Sequence, residues 1–249
     1  MGAVGKLAGR VLRKAARIVD PPEPIQLIQD EYVTWLCYAN AGMLEKGNLY
    51  LIDYAISHLP SAAPILEIGT FCGLSTNVIT HFKRKHGARN PLITCDKWEF
   101  ENVNGRPTIA GSPVRFADYK AFSKQSYIRN IQLFSPDDLP FTFEMTSNEF
   151  FDAWKEQRNS TDVLGRSRAL GGPFSFCYID GNHTYEYAKE DFLNCDEYLE
   201  PGGFILFDDS TLTEFTLHKL MPEVISLGRY RLVARNPNHL FQKLGPPKG

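Results

Sequence analysis

The stretch Phe174–Ser210 constrains the fold of this chain more than any other part of the sequence. It begins with a short apolar run that ends in Asp180 and finishes with a second apolar run that ends in Asp208-Asp209. Between the two runs, Thr184–Leu199 has apolar side chains at steps of three and four residues, which is typical of an amphipathic helix. A strand, a helix and a strand in this order predict a parallel pair of strands with a right-handed crossover.

The acidic residues at the ends of these two strands are predicted to meet. The carboxyl ends of adjacent parallel strands lie at the same edge of a sheet, so Asp180, Asp208 and Asp209 would be close together there. Three carboxylates at one point repel one another unless a cation lies between them. Oxygen ligands favour Mg²⁺, with Mn²⁺ as the alternative. The sequence therefore predicts a divalent metal site formed by these three residues.

Length, charge and cysteine content narrow the class of protein. With 249 residues, 43% of them hydrophobic, the chain suits one α/β domain with additions. A formal net charge of −2 gives no overall signal for nucleic acid, so a nucleic-acid partner is not expected. The five cysteines include no C-x-x-C pair, and no apolar run approaches the roughly 20 residues that span a bilayer. Reduced thiols and a cytoplasmic location are therefore expected.

A basic amphipathic segment opens the chain. Residues 1–20 place apolar side chains on one helical stripe and most of their lysines and arginines elsewhere. Such a helix either makes a peripheral membrane contact or docks on its own domain or on a second copy of the chain, and a homo-oligomer is expected. The proline-rich linker that ends at residue 24 then marks a boundary. Residues 25–249 are predicted to form a single domain with an insertion at about 97–140.

A glycine-bearing turn follows the first predicted strand. An apolar run that ends at Ile68 leads into Gly69 and Gly73, and a helical pattern comes next. Glycines permit a ligand to approach the backbone closely, and the amides at the helix start favour polar or anionic ligand groups. The dinucleotide fingerprint G-x-G-x-x-G is not met. A second strand ends in Asp96, at the position where an acid that binds a ribose diol is expected.

These motifs together resemble a known family. The motifs, in chain order, are Glu67-x-Gly69-x-x-x-Gly73, Asp96, Asp180-Gly181-Asn182-His183, Pro201-Gly202-Gly203 and Asp208-Asp209. Over about residues 45–245 the chain resembles the class I S-adenosylmethionine-dependent methyltransferases, and more narrowly the small O-methyltransferases that act on sugars, macrolides and catechols with a bound magnesium ion. The resemblance implies an α/β fold with a Rossmann-like sheet that is mostly parallel, has one antiparallel strand and carries helices on both faces.

The resemblance also implies which residues bind the cofactor. Glu67, Gly69 and Gly73 would line the methionine part of S-adenosylmethionine, and Asp96 would bind its ribose hydroxyls. Ser147, which follows the third predicted strand, would lie near the adenine. An equally open alternative for Ser147 is that it caps the helix that begins there.

The resemblance further implies methyl transfer to an acceptor hydroxyl, with Asp180 and His183 as the catalytic residues. Some relatives carry a second Asp where this chain has Asn182, and an amide cannot remove a proton. The predicted base is therefore His183, three residues after Asp180, because histidine titrates in the useful range. The alternative is that His183 only caps a helix. The expected acceptor is a small molecule, with a sugar or glycosylated natural product favoured by the resemblance alone.

Other interpretations remain open. The long segment Lys97–Pro140 mixes aromatic and basic residues, which fits a lid or acceptor pocket, a packed helix with a solvated face, or a surface for single-stranded nucleic acid. Residues 159–172 are expected to be a mobile loop near the site. For the whole chain, the alternatives are a nucleotide-dependent oxidoreductase on a Rossmann-like scaffold and a non-catalytic binding or membrane-surface protein.

Overall fold

The computed structural model of the chain describes residues 25–99 and 108–245. The predictions for residues 1–24 lie outside the described residues. The α-helices are α1 (Glu31–Ala39), α2 (Lys46–Ser57), α3 (Leu74–His86), α4 (Phe116–Phe134), α5 (Ser147–Lys155), α6 (Tyr185–Tyr198) and α7 (Leu220–Ser226). The strands are β1 (Ile65–Ile68), β2 (Leu92–Cys95), β3 (Phe141–Phe143), β4 (Asn159–Thr161), β5 (Ser167–Ala169), β6 (Phe174–Ile179), β7 (Leu199–Phe207), β8 (Tyr230–Arg235) and β9 (His239–Lys243). In the ranges that the structure describes, no helix is long and apolar enough to cross a membrane.

A seven-stranded sheet forms the centre of the fold, in the order β3-β2-β1-β6-β7-β9-β8. The pairs from β3 to β7 are parallel, and β9 is antiparallel to both of its neighbours. This confirms the predicted mostly parallel sheet with one antiparallel strand. In the β6–β7 pair Ile179 lies opposite Phe207, so Asp180 and Asp208 directly follow paired residues.

Helices cover both faces of the sheet, as predicted, because the central strands are apolar on both sides. Alternate residues of one strand belong to different cores: Cys177 and Ile179 pack with α5, α6 and α7, whereas Phe176 and Tyr178 pack with α1, α2 and α3. Every residue of β6 is buried. A strand enclosed on both faces needs an almost continuous apolar run, which is what its sequence supplies.

The insertion after β2 is in large part a packed helix. Helix α4 buries only Ser123, Tyr127 and Ile131, at steps of four residues. The Tyr127 hydroxyl lies 2.6 Å from Thr142 Oγ1 on β3, and the Tyr127 ring packs against Trp98. These contacts fasten the helix over the β2–β3 side of the sheet.

Two segments differ from the sequence-based expectation. Residues 159–172 are not an irregular loop, because β4 and β5 form a hairpin whose turn is held by Asp162; its carboxylate accepts hydrogen bonds from the backbone amides of Leu164 and Arg166. The sequence Thr213–Leu227 predicts a helix with an interruption near Pro222. The α-helix instead begins at Leu220, which puts Pro222 in the first turn, where its missing amide has no partner to lose.

Candidate active site

A cavity of about 270 Å³ opens at the carboxyl ends of the central strands. Its lining comes from the segment after β1, from the loops that follow β6 and β7, and from the segment before α2. The lining residues are Gly42, Met43, Leu44, Thr70, Phe71, Leu74, Ser75, Asp180, His183, Asp208, Asp209 and Phe215. The structure therefore brings together the three aspartates and the histidine that the sequence singles out, at the edge where parallel α/β sheets bind ligands.

His183 lies between two of the aspartates. Its Nε2 is 3.3 Å from Asp180 Oδ1, and its Nδ1 is 3.6 Å from Asp209 Oδ2. The ring also packs against Phe215 with a centroid separation of 4.8 Å. The side chains of His183 and Asp180 are 27% and 28% exposed, so both reach the cavity. The alternative of a helix cap is not what the geometry describes, because helix α6 is preceded by Thr184 rather than His183.

The acidic cluster is electrostatically costly. The pKa of Asp180 is raised well above its ordinary value, first by burial and then by the charges of Asp208 and Asp209. The pKa of Asp209 is also raised, by burial and by Asp208. Asp209 adopts a φ of 51°, in the left-handed region that non-glycine residues rarely occupy. A cluster that combines like charges with backbone strain is more typical of a functional site than of a structural one.

The metal prediction can be compared with this arrangement. Three carboxylates offer the oxygen donors that divalent cations prefer, and a cation would relieve their repulsion. Asp208, however, already accepts hydrogen bonds from four donors: Asn48 Nδ2, Asn238 Nδ2, the Asp209 amide and the Tyr178 hydroxyl. Across residues 25–99 and 108–245, no group of three or more His, Cys, Asp or Glu side chains is arranged to hold a metal ion. The donor chemistry fits a cation, the arrangement is incomplete, and the metal site stays a prediction.

The glycine turn is shaped by close contact with the acidic loop. Gly69 has a φ of 83°, and a Cβ at this position would lie 2.0 Å from the backbone oxygen of Asp180. Gly73 has a φ of 88° and would place a Cβ 3.0 Å from the Tyr127 ring. Both glycines are required by backbone geometry, and neither lines the cavity. Their neighbours Thr70, Phe71 and Ser75 do.

Glu67 does not line the cavity. It is completely buried, and its two carboxylate oxygens accept hydrogen bonds from Ser75 Oγ at 2.5 Å and Thr76 Oγ1 at 2.6 Å. Burial raises its pKa to about 7 despite these two donors. Glu67 therefore holds the first turn of α3 against β1, and through Ser75 it is one side chain removed from the cavity.

Asp96 organises the glycine turn from the end of β2. One carboxylate oxygen accepts the backbone amides of Thr70 and Phe71, at 2.7 Å and 3.0 Å, and the other accepts the amide of Trp98 at 2.6 Å. These bonds hold Phe71 and Trp98 at φ values of 46° and 50°. Contact with a ribose remains a prediction for Asp96.

Ser147 is not the cap of helix α5. Thr146 caps it, in a reciprocal arrangement with Glu149. The Ser147 hydroxyl instead hydrogen-bonds to Asp191, a carboxyl on α6 that is 3% exposed. Asp191 also lies under the acidic loop, since its Oδ2 is 3.3 Å from where a Cβ at Gly181 would be. The predicted adenine contact of Ser147 remains a prediction.

Asp191 gives a testable pH dependence. Burial raises its pKa to about 7, so the folded state holds this proton more tightly than the unfolded chain, and stability is lost as pH rises through 7. We expect Asp191→Asn to lessen this loss. Between pH 5 and pH 8, the free energy of unfolding of the variant should rise by about 3 kcal/mol relative to that of the wild type. Urea unfolding at both pH values measures the free energy of unfolding, and Asp137→Asn, at an exposed position, is the control. Equal pH slopes for Asp191→Asn and the wild type would contradict the assignment.

Comparison with known proteins identifies the family. The model of a methyltransferase domain matches residues 66–210, which is more than half of the chain. The chain belongs to this methyltransferase family. No curated protein sequence matches it at a significant level.

Solved structures show the same fold at low sequence identity. An O-methyltransferase from Bacillus cereus in complex with SAH has 12% identity and a TM-score of 0.54, with 94% of this chain and 97% of that chain covered. The calicheamicin methyltransferase CalS11 has 18% identity and a TM-score of 0.55, with 94% and 91% covered. The SAH-bound methyltransferase PaMTH1 from Podospora anserina has 15% identity and a TM-score of 0.55, with 98% of each chain covered. The predicted class I methyltransferase fold is confirmed.

Sequence reasoning about this methyltransferase missed several cavity residues. Met43 and Leu44 precede α2, and Phe215 follows β7 by a short loop, but isolated apolar residues in loops give no local signal. Asn48 and Asn238, which bind Asp208, were also missed. A signal existed for Asn238, because the sequence Asn236-Pro237-Asn238 between two alternating strands is polar and yet proves to be buried at both asparagines.

Proposed function

We propose that this methyltransferase transfers the methyl group of S-adenosylmethionine to a hydroxyl of a small molecule. One observation carries the proposal: the segment after β1 and the Asp180–His183–Asp209 cluster line the same cavity. A sulfonium cofactor held along the turn would direct its methyl group toward the histidine. Alignment of acceptor oxygen, methyl carbon and sulfur in a single cavity supplies much of the rate enhancement in such a displacement.

The residues after β1 suit the polar end of the cofactor. Ser75 lies in the first turn of α3, where backbone amides have no partner inside the helix and favour an anionic group such as the methionine carboxylate. Gly69 and Gly73 keep the turn compact, Asp96 holds its amides, and we assign the ribose hydroxyls to Asp96. We assign Ser147 to the adenine end, at the start of α5.

His183 is the proposed general base. Its two ring nitrogens lie 3.3 Å from Asp180 and 3.6 Å from Asp209, and these contacts orient the ring. The acceptor hydroxyl would approach from the cavity, where the ring is partly exposed. Met43, Phe71 and Phe215 provide apolar surface around that position.

A divalent cation, Mg²⁺ or Mn²⁺, is proposed as an aid to this reaction. Asp180, Asp208 and Asp209 are the residues that would hold it. When bound, it would supply positive charge that lowers the cost of forming an alkoxide on the acceptor.

The cavity favours an acceptor without negative charge. Its charged lining residues are Asp180, Asp208, Asp209 and His183, and no described lysine or arginine lines it. On α4 and before it, Lys97, Lys120 and Lys124 form ion pairs with glutamates at 3.2 Å, 3.1 Å and 2.5 Å. We propose a sugar hydroxyl, as in a glycosylated natural product. CalS11, which has the same fold, is described as a TDP-rhamnose 3'-O-methyltransferase, and this supports the proposal of a sugar acceptor.

The function is tested by binding and turnover with the purified protein. We expect SAH to bind in calorimetry and NADH not to bind; binding of NADH alone would support the oxidoreductase alternative and overturn the proposal. Transfer from S-[methyl-³H]adenosylmethionine is then measured on catechol, 4-nitrophenyl glycosides and a thymidine-diphosphate sugar. A catalytic protein labels at least one of them, whereas a binding protein that only keeps the fold labels none.

Removal of metal ions tests the proposed role of the cation independently of the proposed methyl transfer. We expect EDTA to lower turnover by at least about tenfold, Mg²⁺ or Mn²⁺ to restore it, and SAH affinity to stay within about threefold. Mn²⁺ binding to the ligand-free protein, followed by electron paramagnetic resonance, gives a readout that does not depend on activity. Full turnover in EDTA would remove the cation and leave the methyl transfer assignment standing.

A further inference from the structure

The turn between β8 and β9 reaches into the candidate active site from the far end of the chain. It contains Asn236, Pro237 and Asn238, and the two asparagines are 4% and 1% exposed. Buried amides are costly unless each of their polar atoms is paired. In this turn the two asparagines have separate sets of partners, and the difference between the sets suggests separate roles.

Asn238 is bonded to the end of β7. Its Nδ2 donates to Asp208 Oδ1 at 2.6 Å and to Asn48 Oδ1 at 3.0 Å, and its Oδ1 accepts the backbone amide of Ser210 at 2.9 Å. Asn48, on α2, donates its own Nδ2 to the same Asp208 oxygen at 2.7 Å. The opposite oxygen of Asp208 accepts the Tyr178 hydroxyl at 2.7 Å.

Asn236 instead ties structural segments together. Its Oδ1 accepts the amide of Gln26 at 2.7 Å, and its Nδ2 donates to the backbone oxygens of Gln26 and Gly47 at 2.7 Å and 3.1 Å. None of these partners lines the cavity. Asn236 is two residues from Asn238 on the same turn and has only structural partners, so it is a suitable control position for substitutions at Asn238.

We propose that Asn238 and Asn48 are positioning residues that fix the Asp208 carboxylate at the wall of the active site; the proposal rests on the methyl transfer function given above. Asp208 is 3% exposed, whereas the side chains of Asp180 and Asp209 are 28% and 20% exposed. Two amide donors on one oxygen and a tyrosine on the other leave Asp208 a single orientation. Asp180 and Asp209 are thereby left as the more exposed carboxyl groups of the cluster.

Repulsion within the acidic cluster explains why Asp208 needs donors that hold its orientation. Asp208 shares the cavity with two other carboxyl groups, and carboxylates that are close together repel one another unless something holds them in place. Hydrogen bonds to a carboxylate are among the stronger ones in proteins, and three side-chain donors converge on Asp208. Loss of this restraint would let the cluster rearrange by a fraction of an ångström or more, which is enough to misalign a reacting hydroxyl.

The test compares two isosteric substitutions in the same turn. Asn238→Asp keeps the shape and the acceptor for Ser210 but replaces the donor to Asp208 by a repelling carboxylate. Asn236→Asp makes the same chemical change away from the cavity. With the best acceptor of the panel above, we expect Asn238→Asp to lower kcat by about 100-fold, with SAH affinity within about threefold. We expect Asn236→Asp to lower stability to urea and to keep kcat within about threefold of the wild type.

A milder change keeps the inference testable if Asn238→Asp does not fold. Asn48→Ala removes one of the two amide donors, and we expect kcat to fall by about tenfold with the acceptor KM nearly unchanged. If Asn238→Asp or Asn48→Ala kept wild-type kcat, the positioning role would be overturned, and so it would if Asn236→Asp lowered kcat as much as Asn238→Asp. A wild-type protein that neither binds SAH nor methylates any acceptor would instead overturn the proposed function itself.

Discussion

Replacement of His183 by alanine is expected to lower kcat by about 10²–10⁴-fold, the range that a general base contributes. SAH affinity should stay within about threefold, because we assign His183 to the acceptor and the glycine turn to the cofactor. The measurements are kcat with the best acceptor and SAH binding by calorimetry.

His86 offers a matched control for His183. Its Nε2 lies 2.9 Å from Asp53 Oδ1, and its side chain is 27% exposed, the same fraction as that of His183. His86 is at the carboxyl end of α3, about 20 Å from the first turn that borders the cavity. We expect His86→Ala to keep the wild-type kcat. If His183→Ala kept it too, the base would be something other than this histidine.

Replacement of Gly69 by alanine is expected to have the second large effect, on both folding and cofactor affinity. A Cβ there would meet the backbone oxygen of Asp180 at 2.0 Å, and a backbone atom cannot rotate away as a side chain can. The φ of 83° adds strain for any L-residue. We expect the free energy of unfolding to fall by at least about 3 kcal/mol and SAH affinity to fall by at least about 100-fold, since the turn and the acidic loop must move apart.

Substitutions at two other glycines distinguish the effect of backbone strain from the effect of a steric clash. Gly87, with a φ of 69° and nothing within 4 Å of its Cβ position, carries only the strain. Gly87→Ala should cost about 1 kcal/mol and leave SAH affinity unchanged. The loss of stability in Gly73→Ala should lie between those of Gly87→Ala and Gly69→Ala, because the added Cβ would lie 3.0 Å from the Tyr127 ring. Urea unfolding and calorimetry give the order, and a Gly69→Ala protein as stable as Gly87→Ala would show that the close approach to Asp180 has no structural role.

Much of the fold follows from local patterns. The run Phe174–Ile179 has the exact bounds of β6, and the apolar period over Thr184–Leu199 predicts α6 to within one residue at each end. Local signals were weaker where polar residues dominate. The hairpin of β4 and β5 reads as a loop because its strands are three residues long and mostly exposed. Short, exposed strands have no apolar alternation to reveal them.

The convergence of Asp180, Asp208 and Asp209 could also be predicted from the sequence. It needs only that two buried strands joined by a helix are parallel and adjacent, a rule with a steric basis in strand twist. The presence of His183 beside them follows from its spacing of three residues after Asp180. The sequence does not state which oxygens of these aspartates remain available, because that depends on donors elsewhere in the chain.

The sequence by itself determined the strands, the helices and the edge at which the acids meet, since hydrophobic period and crossover geometry are local or nearly local properties. The tertiary structure alone decided how each acid is used. Asp208 accepts hydrogen bonds from Asn48 and Asn238, which are 160 and 30 residues away in the chain. Asp96 accepts hydrogen bonds from the glycine turn that it stabilises. Hydrogen-bond partners at such separations are chosen by packing, because an amide carries no periodic signal and pairs with whichever carboxylate the fold brings to it.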